Sequence, residues 1–217
     1  KIYPNTVIKS AELYTWLQDG RYKPYGEKNL FESLLQMKLA TPRYCRISRL
    51  IRDIPSTEIE AGNKITNLRQ ALEAELTKQN KKCICLRCRE VARQQKHLPN
   101  NAIPQLFIDE YETIGGTEYF ISFEDKKRTA VFGFVRLRLP SQGLSEPMKK
   151  YFPELQECAF IRELHTYGQM VAIGKHDESA SQHKGLGKRL VAEAQRIACA
   201  QNFSIIAVIS GVGVRGY

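Results

Sequence analysis

Gln182-His183-Lys184-Gly185-Leu186-Gly187-Lys188-Arg189 is the stretch on which the reading of this chain turns. An apolar segment precedes it. An amphipathic helical pattern follows, expected over Gly185 to Asn202, with Leu190, Ala194, Ile197 and Ala198 on one face. Two glycines let backbone N–H groups approach a ligand with no Cβ in the way. The first N–H groups of a helix have no internal partner, and the helix dipole adds partial positive charge. Lys184, Lys188 and Arg189 add full charges, so the turn suits a pyrophosphate. It lacks the Gly-Lys-Ser/Thr ending of a P-loop and does not open an early βαβ unit, which disfavours both nucleotide folds. The plain alternative is a glycine turn that starts a surface helix.

Working outward, Leu106 to Glu112, Glu118 to Phe123 and Ala130 to Leu139 read as strands, the last two joined across Glu124-Asp125-Lys126-Lys127. Ala159 to Ile173 holds another strand or two, and Ser204 to Ser210 reads as a buried strand. The order β-β-β-β-α-β predicts an α/β (α+β) domain. Upstream, residues 2–8 read as a strand, and Ser10 caps a helix through Gln18. A second helix spans Lys28 to Leu39, with Leu30, Leu34, Leu35 and Met37 on its apolar side. Cys45 to Ile51 reads as a strand and Asn67 to Gln79 as a helix. Pro99-Asn100-Asn101 is the expected domain boundary. Trp16, flanked by Leu13 and Leu17, is expected in the core.

The 217 residues are 42% hydrophobic and 26% charged, an ordinary globular balance. No apolar run approaches the length of a membrane span, and the start lacks the apolar region of a secretory signal. A cytoplasmic protein with no membrane partner is expected. The net charge of +10 is concentrated: residues 1–100 carry 19 basic and 10 acidic side chains, residues 101–217 carry 14 and 13. A one-sided basic field points to a polyanion such as nucleic acid. The first residue is Lys1 rather than Met, so a piece of a longer protein is expected.

Cys83, Cys85 and Cys88 offer three thiolates within six residues, which suits zinc. His97 is the nearest histidine for a fourth ligand. Cys45, Cys158 and Cys199 are scattered and read as small core residues.

The spacing Gln-x-x-Gly-x-Gly after a strand, at Gln182 to Gly187, resembles the acetyl-CoA motif of the GNAT superfamily of N-acetyltransferases. Ile161-Arg162-Glu163-Leu164-His165-Thr166-Tyr167-Gly168 looks like the strand beside that motif. With Ile206 to Arg215, IEAGNKITNLR at 59–69, RDIPS at 52–56 and the cysteine cluster, the resemblance narrows to the catalytic subunit of Elongator and covers essentially the whole chain.

The resemblance implies an enzyme that modifies the wobble uridine of tRNA, with a radical S-adenosylmethionine domain and an acetyltransferase-like domain. Residues 1–54 would be the last piece of the radical barrel, 55–100 a zinc-bearing linker, and 101–217 the acetyltransferase-like domain, truncated at its C-terminus. S-adenosylmethionine and a [4Fe-4S] cluster would belong to the full-length protein. The one cysteine cluster here has the wrong spacing for that iron–sulfur site, so the chain is not expected to perform the radical step alone. Acetyl-CoA would be held by Glu163, Leu164, His165 and Thr166, mostly through backbone, and by Gln182, Gly185, Leu186, Gly187 and Lys188. Glu163 and His165 alternate with Leu164 and are expected on one face, where either could act as a base. Tyr217 matches the first of two tyrosines in the family, the second lying beyond the last residue here. A tyrosine hereabouts can protonate the departing CoA thiolate in related acetyltransferases.

Zinc would sit on Cys83, Cys85 and Cys88. Arg43, Arg46, Arg49, Arg52, Lys64 and Arg69 would form a tRNA phosphate surface, with Tyr44 a stacking candidate. Other Elongator subunits, or a second copy of the chain, are further partners. Two rivals remain: a stand-alone N-acetyltransferase acting on protein lysine or a small amine, and a non-catalytic zinc-dependent RNA-binding module.

Overall fold

The computed structural model describes residues 1–51, 53–99, 102–167 and 185–211. The chain divides into two compact units, Lys1–Cys88 and Arg89–Tyr217.

In the first unit, β1 (Thr6–Val7) pairs antiparallel with β2 (Ala61–Gly62), and α1 spans Glu12–Gln18. The strand is shorter than residues 2–8, and Ala11 rather than Ser10 is the helix N-cap. Helices α2 (Glu27–Ala40) and α3 (Leu68–Lys78) carry the core. Leu68, Leu72 and Leu76, four residues apart, form one buried stripe of α3 and meet Leu34 and Leu35 of α2 with Ile47, Leu50, Cys83 and Cys85. On α2 the expected apolar face is displaced. Met37 is 49% exposed while Lys38 is fully buried.

Residues 45–51 form no strand. Their carbonyls are spent elsewhere: Cys45 O accepts from Leu86 N, Arg49 O from Ile2 N, and Ile47 O from the Arg69 guanidinium. A segment whose backbone is satisfied this way cannot also join a ladder. Trp16 is not core either. It is 38% exposed, with the Arg21 guanidinium stacked on its ring. Of the three scattered cysteines only Cys158 is buried; Cys45 and Cys199 are exposed. Short helices α4 (Leu86–Arg89) and α5 (Val91–Gln94) follow, the unit boundary falling within α4.

The second unit is built on a five-stranded sheet in the order β3 (Gln105–Thr113), β4 (Gly116–Glu124), β5 (Val131–Pro140), β6 (Cys158–Thr166), β7 (Ile205–Val208). The first three pairings are antiparallel and β6–β7 is parallel. Helix α6 (Glu146–Tyr151) precedes β6, and α7 (Leu186–Ala200) lies between β6 and β7 in the chain. A parallel pair needs such a crossover element.

Strand alternation sorts the side chains. Tyr119, Ile121, Phe123, Val135, Leu137 and Ile161 share a buried cluster with Leu186, Leu190, Ala194, Ile197 and Ala198 of α7. That is the apolar stripe expected from the sequence. Burial of one such leucine contributes about 1.5–3 kcal/mol. Among the described residues the expected buried strand at Ser204–Ser210 is the last strand of the sheet, and it is open to solvent: Ile205 is 53%, Val208 57% and Ile209 81% exposed. Among the described residues no helix is long and apolar enough to cross a membrane.

Candidate functional site

β7 pairs with β6 only from Cys158↔Ile205 to Ile161↔Val208. Beyond that point β6 continues to Thr166 with β5 as its partner, and its other edge has no strand partner among the described residues. Residues 163–166 therefore offer backbone donors and acceptors to an extended ligand, as an exposed sheet edge does to any added strand. A bulge at Arg162 resets the register, pairing Arg136 with Glu163 and Phe134 with His165. Glu163 and His165 thus stand on one face, as their alternation implies.

α7 starts beside this edge. Its N-cap is Gly185, at φ 82° with no side-chain cap, a left-handed conformation that favours glycine. Among the described residues no cap side chain claims the first-turn N–H groups, and a helix start of this kind suits an anion. Leu186 and Gly187 are buried while Lys188 and Arg189 are exposed. The close approach of helix to strand depends on Gly133 of β5. A Cβ there would lie 3.2 Å from His165 O, 3.3 Å from Thr166 Cγ2 and 3.4 Å from Leu190 Cδ1. Sequence reasoning missed Gly133 because a lone glycine in a strand has several readings. Gln182 and Tyr217 lie outside the described residues.

Around Glu163 and His165 the sheet face is polar over an aromatic floor. Arg136 Nε donates to Glu163 Oε2 at 3.0 Å, and its guanidinium lies 5.1 and 5.4 Å from the ring centroids of Phe120 and Phe134. The His165 ring stands edge-on to Tyr167 at 4.4 Å. Farther along, Glu118 accepts hydrogen bonds from Tyr111, Arg138 and Arg162. Burial pushes the Glu118 carboxyl up, but the Tyr111 hydroxyl and the two guanidinium groups outweigh it and hold the group below the usual carboxylate range. Burial, reinforced by Glu118, pushes the Tyr111 phenol up to about 12.

In the first unit the Sγ atoms of Cys83, Cys85 and Cys88 all lie within 4.8 Å of one another. Zinc–sulfur bonds of about 2.3 Å in a tetrahedron place sulfurs about 3.8 Å apart, so the three thiols fit one zinc with small adjustment. Hydrogen bonds from the thiols of Cys83 and Cys88, and from the backbone of Ile47 and Cys88, hold the Cys85 thiol well below its ordinary range. The turn is set by Cys88 N donating to Cys85 O at 3.0 Å. Among the described residues this group contains no histidine. The set can hold a metal.

Of the basic residues, Arg46, Arg49 and Lys64 are exposed, and Arg43 and Arg69 half-buried. Arg69 braces the 45–51 segment through Ile47 O at 2.8 Å. Arg49 and Arg69 line a cavity of about 250 Å³ with Ser48, Asp53, Thr66 and Gln70. A neighbouring cavity of about 120 Å³ takes Lys64 and shares Asp53. Arg52 lies outside the described residues.

Residues 1–78 match the Radical_SAM C-terminal domain. Over its whole length the chain is 37% identical to the tRNA uridine(34) acetyltransferase of Dehalococcoides mccartyi and 40% identical to that of Methanocaldococcus jannaschii, covering 46% and 40% of those proteins. It is 37% identical to Elongator complex protein 3 of Saccharomyces cerevisiae, covering 39% of it. These proteins are homologues of the chain over its full length. The chain spans less than half the length of these relatives. The solved archaeal Methanocaldococcus infernus Elp3, with N-terminal residues 1–46 deleted, matches at a TM-score of 0.82 and 37% identity, covering all of this chain and 50% of that one. The radical S-adenosylmethionine connection, expected from the resemblance, is thus carried by the family match itself.

Proposed function

We propose that the chain is the C-terminal region of an Elongator-type enzyme that carboxymethylates C5 of uridine 34 in tRNA from acetyl-CoA. The observation that carries this reading is full-length identity of 37–40% to proteins named tRNA uridine(34) acetyltransferase. Residues 101–217, within the second unit, are the GNAT-type acetyltransferase domain. The pantetheine arm of acetyl-CoA pairs with the free edge of Glu163, Leu164, His165 and Thr166. The pyrophosphate takes the N–H groups of Gly185, Leu186, Gly187 and Lys188, with the Lys188 charge alongside, and Gln182 is the further binding residue that the motif offers. S-adenosylmethionine and an iron–sulfur cluster would be held by the longer protein and would supply radical chemistry there.

His165 serves as base for water attacking the thioester, since the Glu163 carboxylate is already engaged by Arg136. Glu163 orients; Tyr217 protonates the leaving thiolate. Zinc is held by Cys83, Cys85 and Cys88, in the reading of 55–100 as the zinc-bearing linker after the radical-barrel piece 1–54. Arg43, Arg46, Arg49, Arg52, Lys64 and Arg69 dock tRNA phosphates, in keeping with the net charge of +10. The enzyme acts in the cytoplasm.

Calorimetric titration of acetyl-CoA into the purified chain tests the cofactor half. Saturable one-site binding, weakened by Gly187→Asp at the start of α7, is the expected result. Absence of binding, or binding indifferent to Gly187→Asp, removes the acetyl-CoA site from this chain.

A further inference from the structure

Lys38 sits on the face of α2 that buries Leu34 and Leu35, and none of its side chain is exposed. An ammonium taken wholly out of water needs a counter-charge. Its Nζ lies 3.9 Å from Cys88 Sγ and 3.6 Å from Glu73 Oε1. Glu73 does not explain the burial alone: its side chain is 39% exposed, and Arg69 Nη1 approaches it at 3.9 Å. Glu73 Oε1 is also 3.9 Å from Cys88 Sγ, so the carboxylate, the ammonium and the sulfur form a triangle at the edge of the thiol group. The lysine thus meets the Cys88 sulfur of a three-thiol group that, once bound to zinc as thiolates, carries three negative charges against two positive ones.

We propose that Lys38 is a positioning residue of the metal centre, and this rests on the zinc reading above. Its ammonium donates to the Cys88 sulfur and neutralises the net single negative charge of zinc held by three thiolates with a neutral fourth ligand. An N–H⁺···S bond withdraws charge from that sulfur, as outer-sphere donors do for metal ligands generally. The hydrogen bond makes the Cys88 sulfur less nucleophilic toward other electrophiles, while the neutralised charge favours the zinc-bound state. Glu73 in turn holds the ammonium in place from its solvent side. Burial of Lys38 beside exposed Met37 follows from this: the helix turns its charge, not its thioether, toward the Cys88 sulfur.

The test measures bound zinc by metal analysis, zinc affinity by competition with a chromogenic chelator, and the thiolate-to-cobalt charge-transfer band after cobalt substitution, all on the 217-residue chain. One zinc per wild-type chain is expected. Lys38→Met, similar in length but neutral, should weaken zinc binding about 10- to 100-fold and shift the cobalt band. Lys38→Arg, which keeps the charge, should restore both. A folded Lys38→Met chain with wild-type affinity and an unshifted band overturns the proposal while leaving the zinc site standing. Wild-type chain that takes up no zinc from metal-replete medium overturns both. Where Lys38→Met does not fold, Lys38→Arg decides: weak zinc binding in a folded Arg variant means that shape rather than charge is at work, against the proposal.

Discussion

Arg136 Nε on β5 donates to Glu163 Oε2 on β6 at 3.0 Å, on the same sheet face as His165. The guanidinium fixes the carboxylate, while the imidazole next along the face contacts aromatic rings at 4.4 and 6.0 Å. Two groups that look equivalent in the sequence therefore have different work available to them. His165→Ala should lower acetyl-CoA hydrolysis by about 10²- to 10⁴-fold, and Glu163→Gln, which still accepts from Arg136, by less than about tenfold. Free CoA followed with a thiol reagent gives both numbers. The reverse ranking would make Glu163 the base.

Gly133 sets how closely α7 meets the end of β6. Gly133→Ala puts a methyl group 3.2 Å from His165 O and 3.4 Å from Leu190 Cδ1, so either the strand or the helix must give way. Overpacking of this kind costs about 1–3 kcal/mol. Chemical denaturation should show that loss, and calorimetry should show weaker acetyl-CoA binding, since both proposed contact regions flank the glycine. Unchanged stability and affinity would mean that helix and strand are not held at this spacing.

Glu118 gives a dependence on pH. Its folded pKa lies below the ordinary value of 4.5. Stability from it is therefore present above about pH 4.5 and lost as pH falls through the folded value. At pH 7 Glu118→Gln should cost about 1–3 kcal/mol, for loss of charged hydrogen bonds to Tyr111, Arg138 and Arg162. As pH falls below about 4.5 the difference between wild type and variant should shrink. Tyr111 works in the opposite sense. Its phenol is raised to about 12, so its contribution is present below pH 10 and lost as pH rises through 12. Urea titrations across pH 3–8 check the acidic limb, and a constant difference there would contradict it.

Metal removal should act locally. If zinc joins Cys83, Cys85 and Cys88, a strong chelator, or Cys85→Ser, should raise hydrogen exchange of the amides from Lys81 to Cys88 and lower the melting temperature of the first unit, because binding energy there is folding energy. Exchange in α7, whose core is separate from these cysteines, should hold steady. Identical exchange before and after chelation would count against a structural metal.

The sequence carried α7 and the antiparallel strands plainly, because one buried face gives each a clean period: Leu190, Ala194 and Ile197 for the helix, Tyr119, Ile121 and Phe123 for β4. Residues 45–51 alternate apolar and basic side chains like a strand, yet Ile47 and Leu50 are the two that are buried, and the carbonyls go to Leu86, Arg69 and Ile2. Those partners are distant in the chain and leave no local mark. The β7 segment is as apolar as a central strand but is exposed, since apolar content does not say which side of a sheet edge is covered. The three thiols were legible from spacing alone. Lys38 beside them was not: helical periodicity assigns a lysine to solvent, and only the fold brings it to Cys88.

The central claim is that one chain couples acetyl-CoA chemistry to tRNA. Thioester turnover by the purified chain, with and without a tRNA bearing uridine at position 34, tests it most directly. The account predicts that such a tRNA stimulates CoA release at least about tenfold, equivalent to about 1.4 kcal/mol of barrier, and that a tRNA with another base at that position does not. Turnover that is the same with either tRNA, or with none, would contradict it.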